Sequence, residues 1–181
     1  MLMSLRFLLL STVILGFGYP ILMSITGSIF FPAKTSGSLL MIDGKVRGSS
    51  LIAQQFKDSR YFSPRPSKGD FSTLPALASN YAPTSKNHLE QVQAWIKEHP
   101  EYQNTPEMLT YSGSGLDPHV SVTAIMVQLP RVIKARNLNN SQQEQLKQKI
   151  QILTEGPWHH ILGQERINVL TLNLAMDQSG M

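Results

Sequence analysis

The stretch that divides the chain is residues 7–31, FLLLSTVILGFGYPILMSITGSIFF. It holds no charged side chain, and none follows before Lys34. A helix of that length rises about 37 Å at ~1.5 Å per residue, against a hydrocarbon core of about 30 Å. The segment therefore reads as a single N-terminal transmembrane helix. Residues 1–33 become a membrane anchor, and residues 34–181 one small mixed α+β domain outside the bilayer. Gly16, Gly18, Pro20 and Gly27 would weaken a helix in water, but a membrane helix tolerates them where neighbours cover its backbone. A cleavable signal would have an apolar core of about 7–15 residues followed by an A-x-A site, so an uncleaved anchor is expected. The short tail before the span favours an N-inside topology with the soluble domain extracytoplasmic. Lys34, Lys45 and Arg47 on the far side work against that charge bias.

Composition excludes several classes. The 16 basic and 12 acidic side chains leave a net charge of +4, dispersed and without aromatic interleaving, so no nucleic acid is expected as a partner. With no cysteine, no disulfide framework exists. Removing the anchor leaves enough chain for one hydrophobic core.

Asp43-Gly44 between two short apolar runs predicts a hairpin, with strands near 38–42 and 45–48. A short amphipathic element should follow around Leu51, Ile52 and Phe56. Residues 57–86, KDSRYFSPRPSKGDFSTLPALASNYAPTSK, have no long period and read as a loop with turns. Thr84 or Ser85 can cap a helix over 86–98, with Leu89, Val92, Trp95 and Ile96 on one face and Pro100 ending it. Val122, Ile125, Met126, Leu129, Val132 and Ile133 recur at helical spacing, with Pro130 expected to kink or split the helix. Ser141 and Glu144 form a capping-box pattern ahead of a helix that should stop near Gly156. The tail from Ile167 to Leu174 reads as a strand with imperfect alternation, able to pair with the strands near the anchor.

YSGSGLDPHVS, residues 111–121, collects the side chains of a hydrolase without their spacing. Ser114 sits in Gly113-Ser114-Gly115, whereas a nucleophile elbow requires G-x-S-x-G. Asp117 and His119 are two apart on one turn, with little freedom to line up behind a serine. No Gly-Lys pair is followed by Ser or Thr, so no Walker loop is present. His159 and His160 are adjacent, and His88, His99 and His119 lack ligand spacing, so no metal site is expected. Sequence physics makes the stretch a turn that launches a helix. Asp117 is the expected N-cap and Pro118 the first helical residue, with Ser121 as a later cap. An independent exported enzyme using Asp117 and His119 as an acid–base pair is the alternative.

SGSGLDPHVS, followed by Arg131, Val132, Ala135, Arg136 and Leu138, resembles the KdpC family, the C subunit of the bacterial Kdp potassium-transporting P-type ATPase. GSLL, GSSLIAQQF, YFSPRPS, SNYAPTS and INVLTLNLAMD extend the resemblance, in the family's order, over nearly the whole chain. The resemblance implies a non-catalytic accessory subunit of a high-affinity ATP-driven potassium importer in the cell inner membrane. Such a subunit assembles or stabilises the complex and acts as a catalytic chaperone that raises the ATP affinity of the P-type ATPase subunit. The implied partners are that subunit, a channel-like potassium-translocating subunit, a small accessory peptide and membrane lipid. ATP enters by this attribution alone. The chain has no D-K-T-G motif and cannot form an aspartyl phosphate itself. Ser112, Gly113, Ser114, Gly115, Leu116, Asp117, Pro118 and His119 then form a structural or partner-facing turn. Tyr61, Phe62, Arg65 and Pro66 become candidates for docking through the preceding loop.

Overall fold

The computed structural model describes residues 2–157 and 161–181; His159 and His160, weighed above as metal ligands, lie outside them. The chain divides into two compact units, one ending at Ser49 and the other spanning Ser50–Met181.

In the first unit, Leu2–Phe30 is continuous helix, apolar and long enough to cross a membrane, with no buried residue. It runs as α1 (Leu2–Ser11), a π-helical stretch over Thr12–Gly18, and α2 (Tyr19–Phe30). Tyr19 N–H bonds the carbonyl of Ile14, five residues back, immediately before Pro20. Proline cannot donate and crowds the carbonyl four residues behind it. The wider π turn relieves that crowding without breaking the helix. A short α3 (Pro32–Thr35) follows. Then β1 (Leu39–Ile42) and β2 (Lys45–Ser49) form the expected hairpin. Asp43 and Gly44 both take positive φ, 51° and 70°, as a tight hairpin turn requires.

The second unit has the expected α+β character. No helix or strand lies between Ser49 and Lys86, so the element expected around Leu51 and Phe56 is extended loop. α4 (Lys86–Glu98) half-buries Val92, Trp95 and Ile96 against the core but leaves Leu89 exposed. β3 (His119–Val120) leads into α5 (Val122–Arg136), which continues through Pro130 without splitting. Asn137 closes α5 in the left-handed conformation, and Leu138 N–H returns to the Ile133 carbonyl. α6 (Asn140–Leu153) begins with a capping box two residues earlier than expected, made by Asn139 and Gln142 and not by Ser141 and Glu144. It gives way to β4 (Thr154–Glu155).

The C-terminal segment is not the strand expected over residues 167–174 but mostly helix. β5 covers only Arg166–Asn168, and α7 occupies Val169–Gln178. Val169, Leu170, Leu172, Asn173 and Met176 are buried at i, i+1, i+3, i+4 and i+7, the spacing of one helix face. Asn168 caps this helix by accepting from Thr171 N–H at 3.1 Å. β5 is the centre of a three-stranded antiparallel sheet, order β3-β5-β4, while β1 and β2 pair only with each other. The core is built by Phe62, Ile125, Val132, Leu146, Ile167, Leu172 and Met176, drawn from the loop, α5, α6, β5 and α7.

Candidate functional site

Residues 61–63 lack secondary structure, yet Phe62 is fully buried. Buried backbone without partners would be costly, and two buried side-chain amides supply them. From α7, Asn173 accepts from Phe62 N–H at 2.9 Å and donates to the Phe62 carbonyl at 2.9 Å. From α5, Gln128 accepts from Ser63 N–H at 2.8 Å and donates to the Ser63 carbonyl at 3.1 Å. Each amide thus offers the loop the paired donor and acceptor of a neighbouring strand. Neither Gln128 nor Asn173 was singled out from the sequence. The available signal was an amide on an otherwise apolar helix face, as Gln128 is among Ala124, Ile125, Leu129 and Val132.

The two arginines of the α5 signature serve the same loop. Arg131 donates to the Ser59 carbonyl at 2.7 Å and to Gln128 Oε1 at 2.9 Å. Arg136 donates to the Arg60 carbonyl at 2.7 Å, to the Met181 carbonyl, and to Asp177 Oδ1 at 2.8 Å. Its guanidinium lies 4.8 Å from the Tyr61 ring centroid, and Tyr61 Oη donates to Asp177 Oδ2 at 3.0 Å. Burial, reinforced by Asp177, raises the Tyr61 phenol above its ordinary pKa. The Phe62 ring belongs to the core, so of the four docking candidates in this loop Tyr61, Arg65 and Pro66 keep part of their surface.

The 111–121 turn is fixed mainly through its backbone. Ser112 is buried and donates its N–H to the Pro66 carbonyl at 3.3 Å. Gly115 has φ +72°, and a Cβ there would meet the Leu77 carbonyl oxygen at 2.4 Å. Glycine is required twice over, by conformation and by the approach of the loop. Ser114 Oγ accepts from Leu116 N–H at 3.1 Å, and the Leu116 carbonyl accepts from Ala53 N–H at 2.9 Å. Lys68 Nζ lies 5.9 Å from the Tyr81 ring and 5.7 Å from the Tyr111 ring, holding the loop against the turn. Within Ser112–His119 only Gly113 and Ser114 are exposed.

Asp117 is not the helix cap. Its Oδ1 accepts from His119 N–H at 3.0 Å across Pro118, a local turn that aims β3 at β5. The Pro118 carbonyl accepts from Val169 N–H at 2.9 Å, and His119 pairs with Asn168. Ser121 is the cap, accepting from Ala124 N–H at 3.1 Å and donating both N–H and Oγ–H to Glu107 Oε1.

A cleft of about 490 Å³ opens beside this turn, lined by Arg65, Glu107, Asp117, His119 and Arg166 among others. His119 Nδ1 lies 3.5 Å from Asp117 Oδ1, and Arg65 Nη1 3.8 Å from Asp117 Oδ2. The His119 side chain, with its backbone N–H and Arg65, holds the Asp117 carboxyl below its ordinary pKa, against the opposing effect of burial. Arg65 also donates to the Tyr111 carbonyl at 3.1 Å and to Thr110 Oγ1 at 3.3 Å. Asp117 and His119 are therefore together, but Ser114 directs its oxygen into its own turn. Among the described residues no group of three His, Asp or Glu side chains could hold a metal ion.

The family model for KdpC, described as the c chain of the K+-transporting ATPase, matches residues 1–178. Among curated relatives, a potassium-transporting ATPase KdpC subunit from Leptospira interrogans is 42% identical, covering 96% of this chain and 91% of its own. One from Xanthomonas campestris pv. campestris is 41% identical over 92% of this chain and 81% of its own. A third, from Mycobacterium bovis, is 39% identical over 97% and 96%.

Proposed function

The chain belongs to the KdpC family of the K+-transporting ATPase, and from that membership we propose that it is a membrane-anchored, non-catalytic accessory subunit that assembles and stabilises an ATP-driven potassium importer. What supports this reading is the helix Leu2–Phe30, which carries a single charged side chain, Arg6, near its start and buries no residue within the chain. Such a surface is stable only against lipid or the helices of other subunits. The partners in this reading are a channel-like potassium-translocating subunit, a P-type ATPase subunit and a small accessory peptide. The location is the cell inner membrane, with the soluble domain on the extracytoplasmic side.

The signature side chains favour a scaffolding role. Arg131, Arg136, Gln128 and Asn173 direct their hydrogen bonds to the domain's own loop. The loop and the turn then offer rigid backbone, with Gly113 and Ser114 outermost. Affinity purification of the full chain from membranes of potassium-starved cells should co-recover a P-type ATPase and a channel-like subunit; recovery of the chain without them would sink the reading. Protease added from the outer face should cut the exposed segment around Leu74 if the domain is extracytoplasmic, and intact chain would reverse the topology.

The rise in ATP affinity is part of the proposal by family attribution. In this topology it is exerted through assembly and not by contact with nucleotide. ATP hydrolysis by the purified pump with and without this chain tests it: the chain should lower the KM for ATP, and an unchanged KM removes the role.

A further inference from the structure

No described residue up to Ser49 is buried, although that unit contains a β-hairpin as well as the anchor helix. A two-stranded hairpin alone is at best marginally stable in water. β1 is moreover apolar on both sides, with Leu39 and Met41 on one face and Leu40 and Ile42 on the other. Met41 pairs with Val46, which puts both on one face. Leu39, Met41 and Val46 thus form an apolar strip, 47%, 61% and 56% exposed.

The hairpin is tethered to the end of the spanning helix. Ser49 Oγ donates to the Gly37 carbonyl at 2.7 Å, closing the hairpin onto the residue two past α3. α3 in turn packs on the helix, the Thr35 methyl lying where a Cβ on Gly27 would meet it at 3.0 Å. Phe30 and Phe31 are exposed at this end, and Lys34 Nζ lies 5.6 Å from the Phe31 ring. Lys45 and Arg47 are exposed on the hairpin, and Asp43 is the only acidic residue up to Ser49. Aromatic rings and cations directly beyond an apolar span match a headgroup layer.

We propose that the β1–β2 hairpin is a second membrane contact, lying in the headgroup layer with Leu39, Met41 and Val46 at the acyl boundary and Lys34 and Lys45 on anionic lipid headgroups. The inference rests on the membrane-spanning reading of Leu2–Phe30. Lipid suits the strip better than protein does, because its surroundings are basic and a bilayer needs no matching groove.

The chain has no cysteine, so single labels are unambiguous. Full chains carrying Met41→Cys or Val46→Cys, each with a polarity-sensitive fluorophore, would be reconstituted without other subunits. The vesicles are phosphatidylcholine alone, or with one third replaced by phosphatidylglycerol. Both labels should emit as in lipid and be quenched by brominated acyl chains, more strongly with phosphatidylglycerol, while a label at Leu74→Cys stays aqueous. Lys34→Gln with Lys45→Gln should lower the docked-to-undocked ratio in the anionic vesicles about five-fold per cation. A label at Ile21→Cys separates the two readings. If it is quenched while Met41 and Val46 labels remain aqueous, the hairpin proposal falls and the anchor stands. If it too is aqueous, both fall. Protection of Met41 only after the other pump subunits are added would assign the strip to protein and overturn lipid docking.

Discussion

No described residue up to Ser49 is buried, whereas from Ser50 onward the chain closes a core so tightly that Phe62, Ile125, Leu146, Ile167 and Leu172 are inaccessible. Both parts are rich in apolar side chains, so hydrophobicity alone does not separate them. In the first, the apolar surface wraps the helix on every side and can be satisfied only from outside. In the second it lies on one face of each helix and is satisfied by the chain itself. The first unit thus presents a surface that its own chain does not cover, whereas the second is specified by its own packing.

That contrast predicts where substitutions hurt. The largest effect should come from Asn173→Leu, which keeps size but strands the N–H and carbonyl of Phe62 in the core. We expect a loss of about 3–5 kcal/mol, since each unsatisfied buried group costs roughly 1–3 kcal/mol. Denaturant unfolding of the full chain in detergent, followed by tryptophan fluorescence, measures it. An unchanged midpoint would mean that the loop is not held by the amide.

Gly115→Ala should cost about 2–4 kcal/mol, combining a left-handed backbone with a clash against the Leu77 carbonyl. Gly113→Ala, where a Cβ meets open space, is the control and should be close to neutral. Equal losses would show that the close approach of the loop is not what selects glycine. Ser121→Ala should cost about 1 kcal/mol by removing the cap of α5. Substitution of Asp117, the first cap candidate, should not show that loss of helix stability.

Asp117 gives a pH test. Its carboxyl is depressed in the folded state, first by the His119 side chain. Its stabilisation is therefore complete above the unfolded carboxyl value and is lost as pH falls through the lower folded value. Asp117→Asn can still accept from His119 N–H while losing the charge, so its stability should fall less steeply over that acid window. Identical acid limbs would mean that the Asp117–His119–Arg65 cluster carries no stability. Smallest of all should be Met41→Ser in the first unit, within about 0.5 kcal/mol in the same unfolding measurement. A larger loss would mean that the hairpin contributes to the folded core and that the contrast between the units is false.

Much of this architecture could be read locally. A charge-free run long enough to span a bilayer needs no tertiary information, and neither does Asp43-Gly44 at a hairpin tip. The periodicity of α4, α5 and α6 is equally visible, and α4 starts after the expected Ser85, whereas α5 is capped by the later candidate Ser121 and α6 by Asn139, two residues before Ser141. The sequence of α7 reads as a strand because Asn168, Thr171 and Asn173 interrupt the apolar run as polar positions in a strand would. Two of those three asparagine and threonine positions proved to be the cap and the buried clamp. Counting i, i+3, i+4 and i+7 from Val169 would have recovered the helix.

The 111–121 turn was legible as a turn, but its use of Asp117 was not. An aspartate before proline can cap a helix or bond two residues onward, and the pairing of His119 with Asn168 selects the second. The long apolar helix, the hairpin and the helical run follow from local sequence, because periodicity, capping and turn chemistry act between residues a few positions apart. That Asn173 meets Phe62, 111 positions away, and that Arg136 reaches the Arg60 carbonyl, 76 positions away, depends on the folded chain. Those bonds follow from which buried backbone groups need partners, and that need arises only once the core has closed.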